Sequence, residues 1–512
     1  MTFPWLTTLI AVPALGAVLT ALVPRGLELA AKKLALFMSC VTAILGAIAA
    51  VAFVADGAPV QFVEEYGWVE SFGVFWSVGA DGISLVLILL TVVVTPIVVM
   101  AMWREAEAER RNPKPFFALL LLLEAMMIGA FAARDLLLFY VLFEAMLVPM
   151  YFLIGLYGGP QRRYAAVKFL LYNLAGGLLM LAAVIGLYVH SRGAGTGTFL
   201  FADLMALEIP VDLQRWLFLG FMIAFAIKAP LWPFHTWLPD AAAEATPANA
   251  AYLSGVMDKV GTYGMIALVL PMFPDATREF APAIVVLAVI SVIYGALVAI
   301  GQTDMKRLIA YTSISHFGFI VLGIFALTSQ GATGATFYMV AHGFSTVALF
   351  VIVGFMITRG RSRMVADYGG VSTPAPLLAG SFLFAGLAGL ALPGLATVTG
   401  EFLVLVGTFG RYRAAAVIAT VATILAAVYI LWLYQRTMTG PVREQTVGFV
   451  DLHRRELVIV APLVALLLAL GFLPKPVLDV IDEGVGATLA EVGVSDPPPE
   501  VDATTTAEGT AP

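Results

Sequence analysis

Apolar residues run along this chain in blocks of about 20, the length that carries an α-helix across the hydrocarbon core of a bilayer. Polar breaks between the blocks predict fourteen transmembrane helices. They fall near residues 3–23, 33–55, 81–103, 115–133, 135–157, 165–189, 213–237, 247–270, 280–300, 306–327, 331–357, 375–409, 413–435 and 456–473. The first block follows Met1-Thr-Phe-Pro-Trp5 with no basic residue before it and no small-residue cleavage site, so it reads as a retained helix. The fold class is therefore an all-α polytopic membrane protein.

Three segments depart from this rhythm. Residues 57–80 mix Phe62, Val63, Tyr66, Trp68, Phe72, Phe75 and Trp76 with glycines and acids, which predicts an exterior β-hairpin. Residues 192–212 form a Gly/Thr-rich exterior loop whose Phe199-Leu200-Phe201 is expected to dip into the membrane interface. The tail 496–512, from Asp-Pro-Pro-Pro-Glu onward, is too poor in apolar residues to pack and is expected to be disordered.

Two blocks carry breaks. The seventh contains Lys228-Ala-Pro230-Leu-Trp-Pro233, and proline removes a backbone donor and clashes with the preceding turn. The twelfth is too long for one straight span and holds Leu392-Pro393-Gly394 near its middle. Broken backbone at membrane depth survives only where it is buried in protein or lines a cavity. Breaks in corresponding positions five helices apart point to internal repeats with a site at each break. The division is three helices and the hairpin in 1–112, a first five-helix repeat in 113–273 and a second in 274–437. A last helix with an amphipathic end covers 438–495. Five helices per repeat make the two repeats inverted.

Composition agrees, with 61% hydrophobic and 12% charged residues. The net charge of −6 is drawn largely from Glu64, Glu65, Glu70 and the tail and implies no nucleic-acid partner. The single cysteine, Cys40, excludes disulfides and reads as a small packed residue. Of the 28 Lys and Arg residues, nineteen fall in alternate loops on one side, including Arg104, Arg110, Arg111, Arg162, Arg359 and Arg454, and seven on the other. Basic loops stay cytoplasmic, which predicts both termini on the exterior, periplasmic side. Lys228 and Lys259 belong to neither set and lie within the bilayer.

An ammonium at the bilayer centre costs about 3 kcal/mol on insertion scales, so such a group needs a partner or a water-filled cavity. Five ionisable residues fall deep in apolar spans: Glu144, Lys228, Lys259, His342 and Glu401. Burial favours the neutral form of each, and a close opposite charge favours the charged form, so groups whose partners come and go exchange protons. Carboxylate, lysine, lysine, histidine and carboxylate spread over several helices suit a proton relay better than a substrate pocket. Each has a plainer reading: fixed ion pairs for Glu144 and Lys228, pairing with Asp258 for Lys259, an interhelical bond for His342, and solvation at a helix end for Glu401. His316 and Glu124 are weaker members. Asp135 reads as a helix cap, His235 as an interface residue, and His453 with the remaining arginines as a solvated face. Ala175-Gly-Gly177 reads as close helix packing. There is no Gly-x-Gly-x-x-Gly followed by an acid, no P-loop, no Cys/His metal spacing and no haem motif, so no cofactor or metal is assigned to this chain.

Three stretches carry a resemblance. They are Phe143-Glu144-Ala-Met-Leu-Val-Pro-Met-Tyr151, Ala226-Ile-Lys228-Ala-Pro-Leu-Trp-Pro-Phe-His235-Thr-Trp-Leu-Pro-Asp240-Ala, and Gln302-Thr-Asp304-Met-Lys-Arg-Leu-Ile-Ala-Tyr311-Thr-Ser313. Over roughly 115–435 the chain resembles the antiporter-like subunits of respiratory complex I, a superfamily that also includes subunits of multisubunit cation/proton antiporters and membrane-bound hydrogenases. At the twelfth helix the L- and N-type subunits and the antiporter relatives usually place a lysine, whereas the M-type subunit places a glutamate. Glu401 in Gly-Glu-Phe-Leu is similar to the M-type pattern.

The resemblance implies a non-redox, proton-translocating subunit of a bacterial plasma-membrane translocase. Its partners would be L-, N- and K-type chains and phospholipid, with no direct contact to NADH or quinone. It also implies a Glu144–Lys228 charge pair that opens and closes, with Lys259 and His342 passing protons toward Glu401. Three departures stand out. Leu395-Ala-Thr-Val-Thr399 replaces the usual residues before Gly-Glu. Asp258 precedes the eighth-helix lysine where the family usually has an apolar residue. Met265-Ile-Ala-Leu follows Tyr263-Gly264 where the family often has an arginine.

Overall fold

A computed structural model describes residues 3–54, 57–104, 112–195 and 197–498. Of the residues with predictions attached, Arg110, Arg111 and most of the tail lie outside this set.

Twelve helices among the described residues are long and apolar enough to cross a membrane. They are α1 (Trp5–Leu22), α2 (Glu28–Ala52), α3 (Gly82–Ala101), α4 (Pro113–Ala132), α5 (Leu136–Tyr157) and α6 (Arg162–Gly193), then α10 (Pro247–Met272), α11 (Pro274–Ile300), α12 (Met305–Phe325), α13 (Ser329–Gly360), α16 (Arg413–Met438) and α17 (Arg454–Phe472). Short α7 (Phe201–Met205) lies between α6 and the seventh block. That block is split into α8 (Val211–Lys228) and α9 (Trp237–Glu244), and the twelfth into α14 (Pro376–Gly389) and α15 (Ala396–Arg411), so both predicted breaks are present. The chain closes on α18 (Lys475–Val492), an amphipathic helix packed on α3 and α13.

Burial sorts these helices. The apolar window of α10 is 100% buried, that of α2 only 33%, so α10 is a central column and α2 part of the perimeter. Cys40 lies on the outer side of α2 and is exposed, not packed as expected, because α2 covers the bundle with one face only.

The hairpin forms as predicted, with β1 (Gln61–Val69) antiparallel to β2 (Val74–Ala80) and Tyr66 opposite Trp76. Its Glu64 accepts the backbone N–H of Leu6 at 2.8 Å, satisfying an orphan donor in the first turn of α1. The segment after α6 differs from expectation. Phe199 and Phe201 are buried in protein, and Phe199 stacks on Tyr188 with ring centroids 4.5 Å apart, because Leu200 bridges to Asp135 and draws the segment inward. Asp135 caps α5 as expected, accepting Leu137 and Leu138 N–H at 2.9 Å.

Several basic residues assigned to solvated loops are buried. Lys32 donates to Trp103 O at 2.7 Å, Lys114 to Val23 O at 2.8 Å and Lys306 to Ala245 O at 2.7 Å, each meeting a carbonyl near a helix end. Arg359 is likewise largely buried and paired with Glu456 at 2.6 Å. Lys228 and Lys259 are thus not the only buried lysines.

The centre is tied by glycines. A Cβ added at Gly261 would stand 2.8 Å from Ala229 N and 2.9 Å from Phe225 O, so α10 touches the end of α8 backbone to backbone. On another side of α10, a Cβ at Gly343 of α13 would lie 2.9 Å from Gly255 O.

Candidate proton-relay site

Lys228 is the last residue of α8, where Pro230 and Pro233 forbid continuation. One carbonyl freed by the break, Ile227 O, accepts from Trp237 Nε1 at 2.9 Å, and Trp232 N–H donates to Ser291 Oγ at 3.3 Å. The lysine is 1% exposed, and its ammonium has no hydrogen-bond partner among the described residues. It lies 4.7 Å from the centre of the Phe143 ring, a cation–π contact. Glu144, next in sequence to Phe143, acts on Lys228 electrostatically without a direct ion pair. The pair suggested by the resemblance is thus apart in this structure, with Phe143 against the lysine.

Glu144 is the last residue but one of Leu136–Ala145, just before Met146 interrupts α5 ahead of Leu147–Tyr157. Its carboxyl occupies the notch left by Gly177 of α6, since a Cβ there would lie 1.8 Å from Oε1. Gly177 therefore makes room for the carboxylate, a role beyond the helix packing read from the sequence.

Lys259 comes after a π-turn, Leu253–Met257, inside α10. Such turns insert an extra residue and re-aim the side chains beyond it. Its ammonium donates to Ser254 O at 2.5 Å and to His342 Nδ1 at 2.8 Å, with the Phe317 ring centre at 4.9 Å. The bonded partner of Lys259 is thus His342 on α13; Asp258, its sequence neighbour, makes no bond to it.

From His342 an aromatic series continues. The His316 ring centroid lies 5.0 Å from that of His342 and stacks on Tyr338 at 5.7 Å. The Tyr338 hydroxyl donates to Glu401 Oε2 at 3.3 Å. Glu401 is 6% exposed, so the solvated reading fails: the second turn of α15 is packed under α13, with Gly400 against the Tyr338 backbone. His316, ranked low in sequence, sits in the line between His342 and Glu401, and Tyr338 was missed. A tyrosine four residues before His342 on the same helix face was the available signal.

The structure does not bring Glu124 to this line. It is wholly buried beside Thr95 and Tyr252, between α3, α4 and α10, with neither oxygen bonded among the described residues. His235 is 2% exposed with its ring against Tyr294 of α11, a buried residue and not an interface one. Its neighbour Asp240 joins Lys168 at 2.6 Å and also Arg307, a three-charge junction the sequence did not reveal.

Interrupted helices that bring buried lysines, carboxylates and histidines together at membrane depth define a class of ion-translocating membrane protein. The NADH:quinone oxidoreductase/Mrp antiporter transmembrane family model matches residues 133–426, and the chain belongs to that family. Its relatives include NADH-quinone oxidoreductase subunit M of Mycobacterium tuberculosis, 51% identical over 97% of this chain and 96% of that one. The Rhodobacter capsulatus subunit M is 39% identical over 92% and 94% of the two chains. A chain in the structure of respiratory complex I from Thermus thermophilus with bound NADH superposes with a TM-score of 0.87, at 31% identity, over 96% of this chain and 100% of that one. The Mrp complex from Dietzia shares the fold, with a TM-score of 0.79 at 22% identity, over 94% of this chain and 52% of that one.

Proposed function

We propose that this chain is a proton-translocating membrane-arm subunit of an NADH:quinone oxidoreductase. The observation that carries the reading is the line of buried groups in which Lys259, His342, His316, Tyr338 and Glu401 succeed one another at bonding or ring-contact distance. Buried ionisable groups in a membrane are costly and mark ion or proton pathways. The similarity to subunit M relatives across nearly the whole chain supports the assembly.

In this reading Glu144 and Lys228 gate entry. When the carboxylate swings to Lys228 it holds the ammonium charged; when it rests against Gly177, as here, that hold is weaker and the lysine gives up its proton more readily. Lys259 and His342 receive the proton, and His316 with Tyr338 leads it toward Glu401. NADH oxidation and quinone reduction are assigned to other chains, which drive this one by shifting charge along the membrane arm. L-, N- and K-type chains and phospholipid are its neighbours. Residues 113–273 and 274–437 act as two inverted repeats in a bacterial plasma membrane, with both termini on the periplasmic side.

The test is Glu144→Gln and Lys228→Ala in the assembled complex, assayed for NADH-driven proton uptake and quinone reduction. Both should abolish pumping while assembly persists. Normal assembly with normal pumping would sink the relay. Pumping that needs sodium and ignores NADH would favour a cation/proton antiporter subunit, the reading suggested by the shared Mrp fold.

A further inference from the structure

A third charge lies beside the two lysines and has no place in the relay as described. Asp258 is wholly buried, and neither of its carboxyl oxygens meets a hydrogen-bond donor among the described residues. Burying a carboxylate carries a penalty of several kcal/mol even after relaxation, unless it is compensated.

Its aim is set by the backbone. The π-turn Leu253–Met257 ends where Asp258 N–H donates to Leu253 O at 3.1 Å. Three residues later Gly261 meets the backbone of Phe225 and Ala229 at the broken end of α8. Residues i and i+3 share a helix face, so Asp258 is turned toward α8 and Lys228. Adjacent helix residues point about 100° apart, so Lys259 is turned away, and it bonds His342 of α13. The electrostatic neighbours agree: Asp258 acts on Lys228 and on Lys259, and the carboxylates acting on Lys228 are Glu144 and Asp258. A single unbonded carboxylate thus acts on two lysines that have no bond to each other.

We propose that Asp258 is the proton-transfer group between Lys228 and Lys259. The inference rests on the relay reading above. The Lys228 ammonium gives a proton to the Asp258 carboxylate, through a direct contact or one water, leaving a neutral amine and a neutral carboxylic acid. The acid passes that proton to the neutral amine of Lys259, which becomes an ammonium as the carboxylate re-forms. One proton has moved, and the total charge of the three groups is unchanged at each step. Asp258 also supplies, without a separate counter-ion, the negative charge each lysine needs when protonated.

Asp258→Asn and Asp258→Glu are made in the assembled complex and reconstituted into vesicles. NADH-driven proton uptake is measured together with infrared difference spectra during turnover. Asparagine keeps the shape but takes no proton, so pumping is expected to fall about 100-fold, the lower end for loss of a positioned proton-transfer group. Glutamate is expected to restore most of it. A carbonyl band of a protonated carboxylic acid should be present in the parent, absent in Asp258→Asn and shifted in Asp258→Glu. A residue that only fixes helix packing would leave that band unchanged. Normal pumping in Asp258→Asn, with Glu144→Gln and Lys228→Ala inactive, would overturn the role of Asp258 alone. Normal pumping in all three would remove the relay itself. Should Asp258→Asn fail to assemble, the Asp258→Glu band decides: shifted supports the transfer role, unshifted overturns it.

Discussion

The ammonium of Lys259 stands 2.8 Å from Nδ1 of His342 and ties α10 to α13. A protonated lysine has donors only, so Nδ1 accepts and the ring proton sits on Nε2. A proton delivered to Nδ1 makes the ring cationic and frees the one on Nε2. The imidazole thereby passes one proton across its own width, and a turn of the ring restores the starting tautomer.

His342→Ala breaks that transfer but leaves Lys259 its bond to Ser254 O. Pumping in the assembled complex should fall by roughly 100-fold, the scale of a lost proton-transfer group. Proton uptake at matched expression is the measurement, and a change under twofold would remove His342 from the path.

Gly177→Ala should mimic part of the loss seen in Glu144→Gln although it replaces no titratable group. The added methyl would collide with the Glu144 carboxyl, whereas Gly186 on the same helix meets only the tip of Leu217, at 3.1 Å. Gly177→Ala is expected to slow pumping about tenfold, and Gly186→Ala to leave it near normal. A collision confined to one side chain fits an off-rotamer and overpacking cost of about 1–3 kcal/mol. Equal behaviour of the two variants would count against the notch.

Tyr338→Phe removes the one hydroxyl that bonds Glu401 among the described residues and leaves the packing of the ring in place. Losing a hydrogen bond to a carboxyl costs about 1–3 kcal/mol, so the step that loads or unloads Glu401 should slow by about tenfold or more. Turnover at fixed pH, compared with Glu401→Gln, is the test; an unchanged rate would make Tyr338 a packing residue.

Outside the spans, Asp81 caps α3 and pairs with Arg134 at 2.9 Å. Burial raises the aspartate pKa, but the guanidinium and the Ser84 bonds outweigh it and leave it below the ordinary 3.8. A lowered carboxylate contributes stability above its unfolded value and loses that contribution as pH falls through the folded one. Asp81→Asn should therefore cost about 1.5–3 kcal/mol at neutral pH, the range for a hydrogen bond to a charged group. The gap should close as pH falls below 3.8. Thermal unfolding in detergent across pH reads both, and a gap independent of pH would contradict the assignment.

The sequence made the helices legible because lipid-length apolar blocks and proline breaks are local signals. It named Glu144, Lys228, Lys259, His342 and Glu401 because charges are rare in such blocks. It could not show which groups meet. That Lys259 turns to His342 depends on a π-turn with no compositional mark, and that Glu144 fits against Gly177 depends on two helices crossing. Cys40 and Phe199 were misread for a related reason: apolar character fixes membrane depth but not which face of a helix is covered. The buried Lys32, Lys114 and Lys306 near helix ends look the same in sequence as solvated ones, because the carbonyls they reach come from distant parts of the chain.

The glycine contacts at Gly261 and Gly343 put α10 in backbone contact with α8 on one side and α13 on the other. Close-packed interiors resist gradual deformation. The column that holds Asp258 and Lys259 is therefore fixed scaffolding, and the spacing between the charged groups is set by main chain. The moving parts of a cycle must be light: rotation of a side chain such as Glu144, the orientation of a ring, or the arrival and departure of water. Such a device can be quick, because it moves a few atoms and not whole helices.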